Sequence, residues 1–138
     1  DRGLVGSEMC IRDRSIRDKC GLLAYYPLAT GYLSGKFRNN KMPKNSRHAL
    51  FKGWERFGNP IALKAYEKYF KLAEESGLTA TQLAQAFVNS RPFVTSNIIG
   101  ATTMDQLKEN IESVNIELSQ EIMDQIDVIH NTIPNPSP

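Results

Sequence analysis

The residues of this chain that combine a useful chemical type with a useful spacing point mainly to an anion. Gly100-Ala101-Thr102-Thr103 follows a predicted strand and opens a predicted helix. The first-turn N–H groups of a helix have no partner within it and attract negative charge. Plain threonine capping uses the same residues. Residues 36–56 carry Lys36, Arg38, Lys41, Lys44, Arg47, Lys52 and Arg56 against Glu55 alone, a net charge of +6. A basic loop directly after a buried strand suits a phosphate clamp, and it equally suits a solvated loop. Gly31-Tyr32-Leu33-Ser34-Gly35-Lys36-Phe37 is no nucleotide P-loop. Its glycines are one residue too close, and Phe37 stands where a Mg²⁺-binding hydroxyl belongs.

Other chemistries find less support. Tyr25 and Tyr26 end a predicted strand, where an aromatic face can stack on a flat cofactor or simply pack. His48 and His130 have no Cys, His or Asp at ligand spacing, so no metal is expected. No G-x-S-x-G nucleophile motif occurs. Phe37, Phe51 and Trp54 lie among the cations of the basic loop and could stack on bases. A net charge of +2 over the whole chain argues against nucleic acid as a partner.

These residues need elements to hold them. Gly21 to Tyr26 is a short apolar run stopped by Pro27, which suits a strand buried on both faces of a parallel sheet. The residue before a proline avoids the helical region, so Tyr26 is expected to be extended. Residues 28–59, broken by Gly31, Gly35, Gly53, Gly58 and Pro43, read as loop with one short helix. Residues 60–76 read as an amphipathic helix, with Pro60 in its first turn and Leu63, Tyr66, Phe70 and Ala73 inward. Gly77 is its expected C-terminal cap. Thr79-Ala80-Thr81-Gln82 is a capping-box pattern that opens a second helix, with Leu83, Ala84, Phe87 and Val88 inward and Pro92 beyond its end. Residues 96–100 read as the next strand. Thr102 or Thr103 then caps a third helix, and Ser119 opens a fourth with Ile122, Ile126 and Ile129 inward. Residues 131–138 form a proline-rich tail. Strands alternating with helices indicate an α/β protein with a parallel sheet, of which two strands are only a part.

Leu4 to Arg14 resembles a one-frame translation of a transposon-end adapter used in sequencing libraries. Residues 1–14 are therefore expected to be an artefact, the frame to start mid-protein, and residues 15–138 to be the native chain. Cys20 is then its one native cysteine, and a disulfide framework is not expected. No apolar run approaches the ~20 residues of a membrane-spanning helix, and nothing reads as a secretory signal. The expected location is cytoplasmic.

Taken together the motifs say more. Gly21 to Phe37 resembles the seventh-strand segment of the aldo-keto reductases, and Ile98 to Asn110 resembles their eighth strand and following helix. The closing Pro134-Asn135-Pro136-Ser137-Pro138 resembles the Tas-like bacterial branch. The resemblance covers residues 17–138. It implies the C-terminal portion of a (β/α)₈ barrel, strands seven and eight with their helices, from a fold of about 250 residues or more. It implies NADPH as cofactor and a small carbonyl compound as substrate, reduced to an alcohol by hydride transfer. Phosphates in such barrels bind at the loops after strands seven and eight, the two loops already singled out.

Carried over by position, Tyr25 would stack on the nicotinamide. Pro27, Leu28, Ala29, Thr30 and Gly31 would line the pyrophosphate, and Lys36 and Arg47 would close over the phosphates. Thr102 and Gln106 would meet the adenosine 2′-phosphate, and Glu109 and Asn110 the adenine edge. Tyr26 stands where the family usually has serine, and Gln106 where some branches have arginine. The family's catalytic Asp, Tyr, Lys and His lie on earlier strands, so no catalytic residue is assigned here and the chain alone is expected to be inactive. The potassium-channel β-subunit branch shares both segments, which keeps open an NADPH-sensing regulatory role.

Overall fold

The computed structural model describes residues 4–51 and 55–137, and their side chains except those of residues 4–10, Asn40, Arg47 and Glu55. Its principal elements are α1 (Leu4–Arg17), β1 (Leu22–Tyr25), α2 (Arg47–Leu50), α3 (Pro60–Glu75), α4 (Ala80–Asn89), β2 (Val94–Ile98), α5 (Met104–Glu112) and α6 (Gln120–Thr132). Short 3₁₀ turns fill the intervals at Ala29–Ser34, Arg38–Asn40, Glu55–Gly58 and Ser113–Asn115.

β1 and β2 pair in parallel, with Tyr25 opposite Ile98 and an irregularity between Leu22 and Leu23. α3 and α4 form the crossover between them, as parallel pairing requires. The second strand starts two residues earlier than its apolar run suggests, because Val94 already pairs with Leu22. Leu22, Ala24 and Val94 turn to one side of the sheet, where they line a cavity of about 560 Å³ with Leu83, Phe87 and Val88 of α4. The other side is bare among the described residues, with Leu23 59% and Tyr25 66% exposed. The expectation of burial on both faces is therefore corrected. Side chains alternate across a strand, and helices cover only one face here.

The helices follow their sequence signals closely. Asn59 caps α3, its Oδ1 accepting from the N–H groups of Ile61 and Ala62. Gly77, at φ 68°, turns the chain out of α3, and Leu78 N–H then donates to Ala73 O. Thr79 and Gln82 form both halves of the expected capping box. Ile126 is buried in α6 against Leu72, Ala73 and Leu83, with Ile122 and Ile129 packed around them. A second cluster joins Ala62, Tyr66 and Phe70 to Tyr32 and Leu33 of the first 3₁₀ turn. Leu63, expected inward, is exposed, and Ala62 and Ala65 are buried instead. Ala84, Phe87 and Val88 are only half-buried because they face the open cavity. The tail begins later than expected, since α6 runs to Thr132. It then returns to α3, where Pro136 O accepts from Asn59 Nδ2 at 2.8 Å.

Candidate functional site

Both strands end on the same side of the sheet, so the chain leaves them there into the two loops singled out by charge and capping. At the end of β1 the exposed Tyr25 ring lies 4.9 Å from that of Tyr26, centroid to centroid. Tyr26 is not extended as expected. Its φ is 58°, and its carbonyl accepts from Ala29 N–H at 2.9 Å, so it starts a turn around Pro27 and Leu28. Ala29 and Thr30 follow at φ 47° and 57°, and Gly31 at 101°. Non-glycine residues in the left-handed region are uncommon and cluster at functional turns. Leu28 O accepts from Gly31 N–H and Leu33 N–H, which holds the turn closed.

Lys36 folds back over this turn. A Cβ on Gly31 would stand 2.6 Å from Lys36 Nζ, so the glycine makes the space that the lysine fills. The ammonium also lies 5.1 Å from the centre of the Phe37 ring. His48, from α2, packs edge-on against Tyr32 and Phe37, and its Nε2 lies 2.9 Å from Thr30 Oγ1. The basic loop is thereby tied to the turn after β1. Isolated in sequence, His48 was legible only as a rejected metal ligand. Arg47 opens α2, but its side chain lies outside the described residues, as do Lys52 and Trp54.

One basic residue serves the fold. Arg38 pairs with Glu67 and Glu74 of α3 at 2.9 and 2.7 Å and lies over the Phe70 ring. The hydrogen bonds it donates to Glu74 and then Glu67 raise its already high pKa. Lys41 and Lys44 are exposed.

After β2, Thr103 is the N-cap of α5 and its Oγ1 accepts from Gln106 N–H at 3.3 Å. Thr102 donates both its N–H and its hydroxyl to Gln106 Oε1, at 2.9 and 3.0 Å. Gln106 is exposed, and its Nε2 has no partner among the described residues. Glu109 Oε1 accepts from Thr79 Oγ1 at 2.6 Å, joining α5 to the start of α4. Asn110 is buried; its Oδ1 accepts from Gln85 Nε2 at 3.2 Å and its Nδ2 donates to Gly100 O at 3.4 Å. The structure thus groups Pro27 to Lys36 around one turn and Thr102 to Asn110 around one helix start. Among the described residues no group of His, Cys, Asp and Glu is arranged to hold a metal ion.

A family profile described as the Aldo/keto reductase family matches residues 11–131. The chain belongs to the aldo/keto reductase family. It is 43% identical over 117 residues to Protein tas of Escherichia coli K12, covering 85% of this chain and 34% of that protein. It is 33% identical over 120 residues to a probable voltage-gated potassium channel subunit beta of Arabidopsis thaliana, covering 83% of this chain and 36% of the relative. It is 30% identical over 119 residues to L-glyceraldehyde 3-phosphate reductase of Escherichia coli O157:H7, covering 78% and 32%. The chain spans about a third of the length of these curated relatives. As an aldo/keto reductase segment it supplies two parallel strands, the helices of their crossover, and the two loops at their ends.

Proposed function

We propose that this chain is the C-terminal part of an NADPH-dependent aldo-keto reductase, contributing strands seven and eight of a (β/α)₈ barrel and the clamp for the cofactor phosphates. The observation that carries the reading is the cradle after β1. A buried glycine at φ 101° leaves room for Lys36 to cross a turn of left-handed residues. That arrangement fits a pyrophosphate, which needs close backbone approach and a nearby cation. Family membership and the open parallel sheet support the barrel.

NADPH, when bound, supplies the hydride that turns a carbonyl carbon into an alcohol. Tyr25 presents an exposed ring for the nicotinamide to stack on. Pro27 to Gly31 line the pyrophosphate, and Lys36 and Arg47 neutralise its charge. Thr102 holds Gln106 by its Oε1, so that Gln106 Nε2, without a partner among the described residues, offers a donor to the 2′-phosphate beside it, and Glu109 and Asn110 bound the adenine. The proton donor comes from earlier strands of the whole barrel. The substrate is a small aldehyde or ketone, and the setting is the cytoplasm.

The test is to read the source DNA upstream of residue 15 and express the whole frame. The expected protein oxidises NADPH in the presence of an aldehyde, and Lys36→Ala raises its KM for NADPH with little change in kcat. A full-length protein that fails to bind NADPH rejects the reading. The similarity to channel β subunits favours a second reading, in which NADPH binding regulates a partner. An upstream frame lacking the proton-donating tyrosine would select it.

A further inference from the structure

Three primary amides form a directed chain behind the α5 subsite. Asn97 Nδ2, one residue before the end of β2, donates to Gln85 Oε1 at 2.7 Å. Gln85 Nε2 donates to Asn110 Oδ1 at 3.2 Å. Asn110 Nδ2 donates to the carbonyl of Gly100 at 3.4 Å. The direction is fixed at its tail, because the Gly100 backbone carbonyl can only accept, so Asn110 must present its Nδ2 there and its Oδ1 to Gln85. Gln85 is 1% exposed and Asn110 5%. Bonds aligned head to tail in a low-dielectric interior strengthen one another, and a buried amide that loses its partner is costly.

The chain starts in β2, crosses α4, enters α5 and returns to Gly100, two residues beyond β2. It therefore ties the loop that carries Thr102 and the helix that carries Gln106, Glu109 and Asn110 to one buried side chain. We propose that Gln85, which faces no solvent and lies outside every loop, is a positioning residue that sets the α5 subsite for the adenosine half of NADPH through Asn110 and Gly100. The proposal rests on the cofactor reading above. The apolar pattern of α4 gave no sign of it, since Gln85 falls between the positions expected to be inward.

The experiment compares two probes by NMR titration of the whole protein expressed from the upstream frame. Adenosine 2′,5′-bisphosphate represents the adenosine half of the cofactor, and inorganic pyrophosphate reports on the turn after β1. Gln85→Met keeps length and removes both hydrogen bonds. It is expected to shift the Asn110 side-chain amide signals and to weaken adenosine 2′,5′-bisphosphate about tenfold, the equivalent of one lost hydrogen bond, with pyrophosphate unchanged. Equal weakening of both probes means general loosening and overturns the proposal. No weakening of either overturns it while the cofactor reading stands. A wild-type whole protein that binds neither probe removes that reading, and this proposal with it. Should Gln85→Met not fold, Asn97→Ala frees the Gln85 carbonyl from a half-buried strand position. It is expected to show the same selective loss at smaller size, and unchanged affinity for both probes would again overturn the proposal.

Discussion

Gly31 and Gln106 are the residues on which the two halves of the candidate site turn. Gly31→Ala places an ordinary side chain at φ 101°, which costs about 1–2 kcal/mol in backbone strain. The clash itself is cheap, because it falls on the flexible end of Lys36, but it moves the ammonium. The expected outcome is a modest drop in the urea midpoint together with weaker pyrophosphate binding. Gln106→Arg replaces a neutral donor with a fixed cation. It is expected to raise the preference for adenosine 2′,5′-bisphosphate over plain 5′-ADP by about tenfold, as charge-assisted bonds exceed neutral ones; calorimetric titration of both ligands measures the ratio. At this scale the sequence was informative where function is local. Thr102 and Gln106 lie four residues apart and meet within one turn. Gln85 and Asn110, 25 residues apart, meet only because α4 and α5 pack against each other, and no short-range pattern records that.

Among the elements, Asn59 is a junction. Its oxygen caps α3 while its amide holds Arg56 O and Pro136 O, so one side chain joins a helix start, a loop and the tail. Asn59→Ala is expected to lose about 1–2 kcal/mol, the upper part of the range for a cap. Urea unfolding would give the loss, and limited proteolysis should show the tail cut first. Helices α3 to α6 were legible because each has its own punctuation: Pro60 and Gly77, the Thr79 box, Thr103 and Ser119. In the 28–59 interval the loop and its one short α-helix were legible, but the 3₁₀ turns were not. These turns are set by contacts that arrive from elsewhere, such as Tyr32 stacked on Tyr66 and Arg38 held by α3.

For the molecule as a whole, two properties can be measured. Tyr66 and Tyr69 pack within the helical layer, and burial pushes both phenols above their ordinary value of 10.0. Folding therefore prefers the neutral phenol. Their contribution is intact below about pH 10 and is lost as pH rises through the raised folded values. Unfolding midpoints followed from pH 8 to 11.5 should fall at the alkaline end, and less steeply in Tyr69→Phe. The second property follows from the bare sheet face. Leu23, Tyr25 and Ile98 leave it apolar, and among the described residues the outer strand edges are unpaired, so the isolated chain is expected to self-associate. Sedimentation velocity should show mass rising with concentration, and Leu23→Lys should lower it. A sequence read for periodicity located these strands, but it could not tell a covered face from an uncovered one, since both are apolar.

The one-sided pairing of β1 has a further consequence, for proton exchange with solvent. Successive amides along a strand point to opposite edges. Within Leu22–Tyr25, the amides turned toward β2 are bonded and should exchange slowly in deuterated water, while their neighbours, turned to the open edge, should exchange fast. The strand thus carries a built-in comb of protected and unprotected sites. Any strand that joins the open edge would slow the fast teeth and leave the slow ones as they were, so exchange at these few residues reports directly on whether the sheet has been extended.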